Sequence, residues 1–476
     1  MKRFSQIVIL LLAMVITHKC NAQVAQLWGM AYNGGINNQG AIFKINMDGT
    51  GFVSKYSFAN PTGKNPKGNL INVNGTLFGM TESGGINNGG VIFKYDPVYD
   101  VYTKLFDFNT AQGKNPTGSL YAIGTKLYGM AYQGGAYTKG VLFSYDISTD
   151  TYADLFDFNA QNGQYPTGNL MKASDGKLYG MTPLGGAFSD GIIFRFDVTN
   201  NSFTKLFDFN GGNGSNPRGS LMQASSGIIY GVTYGGGDSS RGIIFNFDPV
   251  TLSYGVLFTF HGINGAYPVN SLIQANNGLL YGFDLSNPNG YNVGSLFDQN
   301  TTNTLHHDIL TFPTVNFGHP LGNAIQGSDG KLYAMTYYGG TDSVGTIFSI
   351  NIFSNVWTRL GDFSYLNITG ANPYGDLLEM PANTGINSIS NSSGIVTVQP
   401  NPFHDYTKIT MDGFENKEEL ILCIHDLFGR ELKRIFMGVE NSFLMDREGM
   451  EGGMYFYKII SIKNGETLKT GKIIVE

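Results

Sequence analysis

A four-residue block, L-Y-G-M or a close variant of it, recurs seven times along this chain at intervals of about 50 residues. Each block is followed in register by a glycine, by a phenylalanine three residues after that glycine, by a second phenylalanine and by a proline. Four independent markers that each occur seven times define a tandem repeat. The blocks begin at Leu27, Leu77, Leu127, Leu178, Ile229, Leu280 and Leu332.

Each unit carries four short apolar segments separated by turn residues, as residues 168–212 illustrate. The turn at Asp175-Gly176 joins the first two segments as a hairpin. The third segment is almost continuously apolar, which favours a strand buried on both faces. Four strands in each of seven units predict an all-β fold, a seven-bladed β-propeller. A β-solenoid or an open array is the alternative.

The two ends of the repeat region complement each other. The first unit begins at Leu27 without the proline-led strand that precedes every other block, and that strand occurs after the last unit, from Pro373 to Leu378. We therefore expect residues 374–380 to pair with residues 26–31 and complete the first blade. A closed ring needs this exchange, whereas an open solenoid does not.

The first residues read as an export signal. Lys2 and Arg3 precede an apolar run from Ile7 to Ile16, and small residues end at Ala22. This pattern predicts a signal peptide over residues 1–22, with lipoprotein processing at Cys20 as the alternative. No later segment has the length and hydropathy of a membrane span. The sequence thus predicts a secreted protein or one held at the outer cell surface.

Composition divides the rest of the chain. We expect the propeller to occupy residues 23–382, a Ser/Asn/Gly-rich linker residues 383–394, and a more densely charged C-terminal domain residues 395–476. The net charge of −6 argues against nucleic acid as a partner.

The repeat resembles known families. Its period and its Gly-Gly pair are similar to those of kelch propellers. It resembles more closely the GloVer-type tandem repeat of exported bacterial proteins, on the residues from Leu178 to Asp197 and from Leu206 to Asn210. This resemblance implies an exported repeat protein and brings no catalytic residues.

The C-terminal region resembles a type A sorting domain of the bacterial type IX secretion system. The resemblance implies an immunoglobulin-like β-sandwich, the type IX machinery as a partner, delivery to the cell surface and a Bacteroidota-type host. The motif residues that carry it are Pro400, Asn401, Pro402, Asp426, Gly429, Arg430, Gly453 and Tyr455.

Comparison between units removes most carboxylates as catalytic candidates. One position alternates between Asp and a hydroxyl residue, so we expect its side chain to accept a hydrogen bond from a neighbouring backbone N–H. No metal-binding, phosphate-loop or nucleophile motif occurs, and we predict no cofactor. His306 and His307 are adjacent in a strand and should face opposite ways. The alternating position holds Ser57, Asp107, Asp157, Asp208, Thr259, Thr311 and Asp362.

The Gly-Gly loop and the proline loop should lie on the same rim, where antiparallel strands return. The residue after M-T or M-A on this rim varies between units, which suits ligand contacts, with ordinary solvated loops as the alternative. The sixth unit, with Asn287 to Gly290 in place of Gly-Gly, favours the sector of units five to seven. The predicted ligand-binding residues are Tyr32, Tyr132, Tyr137, Tyr234, Tyr337 and Tyr338.

These patterns predict a non-enzymatic surface module that binds a glycan or a protein through one propeller rim. A carbohydrate-active enzyme, either a lyase or a glycosidase, is the alternative from another class, and it would need a converging acid/base pair. A purely structural coat protein is the third possibility.

Overall fold

The computed structural model describes residues 25–286, 294–301, 305–312, 317–365, 369–380, 395–412, 420–426, 431–437, 442–447, 449–461 and 467–476. Within these ranges the chain is all β, apart from one short 3-10 turn at Asn60–Thr62. The predicted signal peptide, the linker and the Asn287–Gly290 segment lie outside the described residues.

The strands are short, as the turn-rich repeat predicts. The first fifteen are β1 Gln26–Asn33, β2 Ala41–Asn46, β3 Val53–Ser57, β4 Ile71–Val73, β5 Thr76–Thr81, β6 Val91–Asp96, β7 Val101–Asp107, β8 Tyr121–Ile123, β9 Lys126–Ala131, β10 Val141–Asp146, β11 Thr151–Asp157, β12 Met171–Lys172, β13 Leu178–Thr182, β14 Ile192–Asp197 and β15 Ser202–Asp208. The next seventeen are β16 Met222–Gln223, β17 Ile229–Thr233, β18 Ile243–Phe247, β19 Tyr254–Thr259, β20 Ala266–Pro268, β21 Ile273–Gln274, β22 Leu280–Ser286, β23 Ser295–Gln299, β24 His306–Thr311, β25 Phe317–Gly318, β26 Ile325–Gln326, β27 Leu332–Thr336, β28 Tyr338–Gly339, β29 Thr346–Asn351, β30 Val356–Asp362, β31 Ala371–Pro373 and β32 Leu378–Met380. The last seven are β33 Ile395–Gln399, β34 Tyr406–Asp412, β35 Leu420–His425, β36 Glu431–Met437, β37 Ser442–Asp446, β38 Gly453–Ser461 and β39 Thr467–Val475.

Each repeat unit forms one antiparallel sheet of four or five strands. The second sheet has the order β4-β5-β6-β7, and the five after it follow the same plan, with β25 and β28 pairing beside the last one. The second and third strands of each unit are buried, whereas the fourth strand is half-exposed, as β13, β14 and β15 show. The continuously apolar third segment is therefore a strand covered on both faces, as predicted.

The glycine of L-Y-G-M is explained by its cross-strand partner. Gly180 pairs with Phe194, and a Cβ on Gly180 would lie 2.5 Å from the ring of that phenylalanine. The ring can lie over the second strand only because the glycine has no side chain. The same glycine-under-phenylalanine pair recurs in the first six units, while the seventh has Ala334 at this place.

The predicted pairing of the chain ends is confirmed. Trp28 on β1 pairs with Leu378 on β32. The pairing also begins earlier than expected, because β31 pairs Pro373 with Ala31 before the chain turns toward β32. The first sheet therefore takes three strands from the start of the repeat region and its inner edge from the end.

Hydrophobic side chains fill the spaces between successive sheets. Seven buried clusters each join residues of two neighbouring units. One of them packs Tyr333 and Ile347 of the last unit against Leu27 and Phe43 of the first. Each sheet thus packs on the next, and the last packs on the first.

The C-terminal strands form two further sheets, β33-β34-β37 and β36-β35-β38-β39. Their shared core contains Ile409, Leu422, Ile459 and Ile473, all fully buried. Asn401 of the predicted motif fixes the end of β33 to the last strand, since its side chain accepts a hydrogen bond from the Ile474 backbone N–H and donates one to the Lys472 carbonyl. The Tyr455 hydroxyl donates to the Glu451 carbonyl. Gly429 and Arg430 lie outside the described residues.

Candidate functional site

A closed ring of hydrogen bonds surrounds the centre of the seven sheets. The residue after each P-x-G (P-V-N in the sixth unit) donates its backbone N–H to the side chain of its equivalent in the next unit, over 2.5 to 2.7 Å. The last bond, from Asp376 to Asn69, returns the ring to its beginning. Each of these side chains must therefore be short and must carry an oxygen that accepts a hydrogen bond. In order, the ring members are Asn69, Ser119, Asn169, Ser220, Ser271, Asn323 and Asp376.

The glycine of P-x-G lets neighbouring sheets approach at the centre. A Cβ on Gly168 would overlap the carbonyl oxygen of Gly219, and Gly68 and Gly322 meet the same limit against the next unit. The sixth unit has Asn270 instead, and its amide donates to the carbonyls of Pro320 and Gly322 at 2.9 Å. In the six units that have it, the glycine therefore meets a packing requirement of the ring.

The middle residue of P-x-G lines a cavity of about 620 Å³ above this ring, which we call the channel mouth. This residue differs between units although both of its neighbours are nearly constant, so no shared packing demand fixes it. All seven members line the cavity, and in ring order they are Tyr374, Lys67, Thr117, Thr167, Arg218, Val269 and Leu321. The sequence prediction missed this set, and its signal was one variable position between constant residues.

The residue after M-T or M-A forms the upper wall. Glu82, Tyr132, Pro183 and Leu285 at this position line the channel mouth. The Gly-Gly and proline loops do lie on the same rim, because the backbone of Lys64 bonds to Ser83 and three further units repeat this contact. The predicted rim is therefore the one that opens the cavity.

A charged and aromatic cluster lies where the ring closes. The Lys67 ammonium group is 2.7 Å from a Glu82 carboxylate oxygen and lies over the rings of Tyr32 and Tyr374 at 5.6 and 5.4 Å. The Tyr32 hydroxyl donates to Glu82 over 3.1 Å. Burial, and then the Glu82 charge, raise the pKa of Tyr32, so this hydroxyl stays protonated at neutral pH. Tyr32, one of the predicted ligand-binding residues, is therefore held in place by Glu82, Lys67 and Tyr374.

Two further tyrosines each pair with a tyrosine that the sequence analysis did not select. Tyr132 and Tyr165 lie 5.2 Å apart between ring centroids, and Tyr234 and Tyr267 lie 5.1 Å apart. Tyr165 and Tyr267 have φ of 58°, a left-handed conformation that asparagine adopts at the equivalent place in four other units. A bulky residue is uncommon in this conformation. The signal for these partners was a tyrosine immediately before the proline.

Of the remaining predicted tyrosines, Tyr337 packs against the lining residue Tyr374, with ring centroids 6.3 Å apart, whereas Tyr338 and Tyr137 do not line the channel mouth. Tyr338 is 48% exposed and contacts His319 and Tyr337. Tyr137 is 56% exposed and lies in an outer groove beside Asp154. The structure therefore brings Tyr132 to the cavity, places Tyr32 and Tyr234 against lining residues, and separates Tyr137.

The predicted backbone acceptors are confirmed at five of the seven alternating positions. Asp107 accepts a hydrogen bond from the Ile86 N–H at 2.8 Å, in the Gly-Gly loop of the same unit. Ser57, Asp157, Asp208 and Asp362 accept the equivalent bonds. These five side chains, four carboxylates and one hydroxyl, hold the loops that shape the rim.

Comparison with known proteins identifies the repeat. A family model described as the Gloeobacter/Verrucomicrobia repeat matches residues 17–125 and 122–297. The chain belongs to this repeat family. The resemblance predicted from L-Y-G-M and L-F-D-F-N is therefore confirmed. No curated protein matches the chain.

A second family model, the secretion system C-terminal sorting domain, matches residues 397–476. This confirms the type IX sorting domain predicted from the C-terminal motifs and indicates export to the cell surface or beyond. Among the described residues, no helix is long and apolar enough to cross a membrane.

Solved structures with low sequence identity share the fold of the repeat region. A protein from Bacteroides fragilis proposed to be a 6-phosphogluconolactonase is 14% identical, with a TM-score of 0.52, over 76% of this chain and 99% of that one. A protein of the same description from Bacteroides uniformis is 17% identical, with a TM-score of 0.51, over 75% and 99%.

The sixth unit departs from the family pattern inside its core. Asp284 is fully buried where most other units have threonine, and its carboxylate accepts hydrogen bonds from the backbone N–H and hydroxyl of Ser295. Burial raises the pKa of Asp284 well above its usual range. Asp284 and Ser295 do not line the channel mouth, and no cluster of three or more metal-ligating side chains occurs in the described part of the chain.

The two adjacent histidines face opposite ways, as expected. The side chain of His306 is buried and stacks on Phe258 at 4.0 Å, where units two to five have tyrosine or phenylalanine. Burial lowers its pKa to about 4, so it is neutral. His307 is exposed and lies 2.8 Å from Asp298. The first histidine therefore fills the core and the second lies at the surface.

Asp154 is a position where one substitution should stabilise the repeat. Lysine at this place pairs with the loop-binding aspartate in two other units, at 2.7 Å for Lys104 and 2.9 Å for Lys205, but here Asp154 faces Asp157. Burial, and then Asp157, raise the pKa of Asp154 to about 6. The free energy of unfolding therefore falls as the pH rises from the unfolded-state pKa of this carboxyl group through its folded-state pKa of about 6.

We expect Asp154→Lys to raise the free energy of unfolding at pH 7 by about 0.5–1 kcal/mol, since solvent screens a pair that is only partly buried. The gain should shrink near pH 4, where Asp154 is protonated and repels little. Thermal midpoints at both pH values measure it. Ala153→Lys is the control, because it adds a charge to the same strand at a different site. An equal gain from both variants would contradict the pairing argument.

Proposed function

We propose that this chain is an exported surface protein whose seven sheets are the blades of one closed β-propeller, and that the channel mouth of this propeller binds a saccharide without transforming it. Residues 23–382 form the propeller, residues 383–394 the linker, and residues 395–476 an immunoglobulin-like sorting domain. The ring of seven hydrogen bonds and the seven inter-sheet cores support the closed propeller. The sorting-domain match supports the route to the surface.

The observation that carries the binding proposal is the variable residue of P-x-G. The repeat keeps its neighbours for packing and leaves this one position free, and all seven copies face a single cavity. A volume of about 620 Å³ is within the usual range of about 300–1,000 Å³ for small-ligand sites. A concave site of this size can hold the end of a saccharide chain, whereas a protein partner would need a broader surface.

The chemistry of the lining favours a sugar. Tyr132 and Tyr165 offer aromatic faces on one arc, and the hydroxyls of Thr117 and Thr167 lie on the same arc. Aromatic side chains have an apolar body and a polar tip, so they can contact both the ring faces and the hydroxyls of a saccharide. On the opposite arc of the cavity, the lining residues Val269, Leu285 and Leu321 are apolar.

The two acidic residues of the lining are already occupied, which supports binding rather than catalysis. Glu82 is held by Lys67 and Tyr32. Asp376 accepts hydrogen bonds from the backbone and amide of Asn323 and from the amide of Asn69. A glycosidase or lyase needs an acid/base pair that is free to exchange protons with its substrate.

A glycan array and titration with the purified chain test the proposal. Tyr165→Asn should weaken binding about tenfold or more, because it removes one aromatic face. The asparagine suits the left-handed backbone, as in four other units, so the fold should persist. Tyr137→Ala is the control, since this tyrosine is exposed outside the cavity. Equal losses in both variants, product release, or no glycan bound would contradict the proposal.

A further inference from the structure

Arg218 differs from the other charged groups of the channel mouth because it has no carboxylate partner. Its Nε donates to the Asn216 side chain over 3.2 Å, and its guanidinium group lies 4.1 Å from the ring centroid of Tyr234. Its two terminal amino groups have no protein acceptor among the described residues. The side chain is exposed, so these groups face solvent at the cavity.

Lys67, the other cation of the lining, is not available to pair with an anionic ligand. Lys67 is neutralised by Glu82 at 2.7 Å. The carboxyl group of Asp376 accepts hydrogen bonds from three neutral donors in the ring, and burial raises its pKa. Among the described residues, Arg218 is therefore the cation of the lining that has no carboxylate partner, and Tyr234 and Asn216 hold it in place.

Arg218 also lies next to the polar arc of the cavity. The Thr167 hydroxyl donates to the Arg218 backbone carbonyl over 2.9 Å, and Thr117 makes the equivalent contact with Thr167 over 3.4 Å. Tyr132 and Tyr165 line the same side. A sugar ring bound against these tyrosines would therefore lie beside the hydroxyl groups of the two threonines and the planar guanidinium group of Arg218.

We infer that the ligand is an acidic saccharide whose carboxylate binds Arg218; this inference rests on the proposed function. A guanidinium group presents parallel N–H donors that match a carboxylate in a two-point contact. Its contact with the Tyr234 ring and its hydrogen bond to Asn216 already restrict the side chain, so the carboxylate binds without a large further loss of side-chain freedom. A uronate at the end of a chain supplies the carboxylate and the apolar ring face together.

The test is calorimetric titration of the purified full chain with short oligomers of galacturonate, mannuronate and glucuronate, each beside its methyl ester. At least one acid should bind about tenfold or more tightly than its ester, because a hydrogen bond to a charged group is worth about 1.5–3 kcal/mol. Arg218→Gln should abolish this preference while retaining the weaker binding of the ester. Lys126→Gln removes an exposed cation at the opposite rim and should leave the preference unchanged.

Each outcome decides between the proposals. Equal binding of acid and ester, or a preference that survives Arg218→Gln, would overturn the acidic-saccharide inference alone. Tighter binding of a sulfated neutral oligomer than of any uronate would replace the carboxylate with a sulfate ester and overturn it as well. If neither acid nor ester binds, and no neutral glycan does, the proposed function fails together with the inference.

Discussion

Deletion of residues 371–382 should lower the thermal midpoint of the repeat region by more than about 10 °C or cause aggregation. The deletion removes β31 and β32, which supply the inner edge of the first sheet. It also removes the buried Leu377 from the cluster that joins the last sheet to the first, and Asp376 from the hydrogen-bond ring. Losing one buried leucine alone typically costs about 2–5 kcal/mol.

Deletion of residues 383–394 is the matched control, because it removes the same length of Ser/Asn/Gly-rich chain. Its melting curve should equal that of the complete protein. Leu377→Ala provides a graded variant, with an expected loss of about 2–5 kcal/mol. Differential scanning calorimetry separates the three. If the 371–382 deletion melts like the control, the two ends do not close the ring.

The sequence predicted the strands and the closure because both depend on periodicity. Strand positions follow from apolar runs and turn residues that repeat in every unit, and the closing strand follows from the absence of a proline-led segment before Leu27. The backbone acceptors also follow from comparison between units, since only a shared acceptor role explains aspartate and serine at one place. These inferences need no knowledge of distances between units.

The hydrogen-bond ring could not be predicted in the same way. Its bonds join residues about 50 positions apart, and they require each first strand to meet the next at the axis. Periodicity shows that Asn69 and Ser119 are equivalent but not that they touch. The close approach of the glycines beside them is likewise a property of the assembled ring.

The candidate site was predicted in part. The rim and Tyr132 were found from variation between units, whereas Arg218 and Tyr165, which each lie next to a recurring proline of that rim, were missed. Tyr137 was grouped with the rim because it is close in sequence, yet it lies in an outer groove. The buried polar pair of the sixth unit was not predicted for a different reason. A buried pair such as Asp284 and Ser295 replaces apolar contacts with hydrogen bonds, and no period signals it.

Gly168→Ala should destabilise the repeat region by about 3 kcal/mol or more, although it adds one methyl group. The new Cβ would lie well under 3.0 Å from the carbonyl of Gly219, a distance that real Cβ atoms do not adopt. Backbone cannot move aside as a flexible side chain would, because Asn169 beside it is bonded to Ser220 in the ring. Overpacking usually costs about 1–3 kcal/mol, and a clash with fixed backbone falls at or above the upper end.

Gly212→Ala is the control for this substitution. Gly212 also has a φ that alanine can adopt, and the nearest atom to its added Cβ is 3.8 Å away, so the change should be neutral or slightly stabilising. Urea unfolding of both variants measures the difference, and only Gly168→Ala should shift the midpoint to lower urea. Equal midpoints would mean that the sheets do not meet at the axis, and the ring on which the channel mouth rests would have to be abandoned.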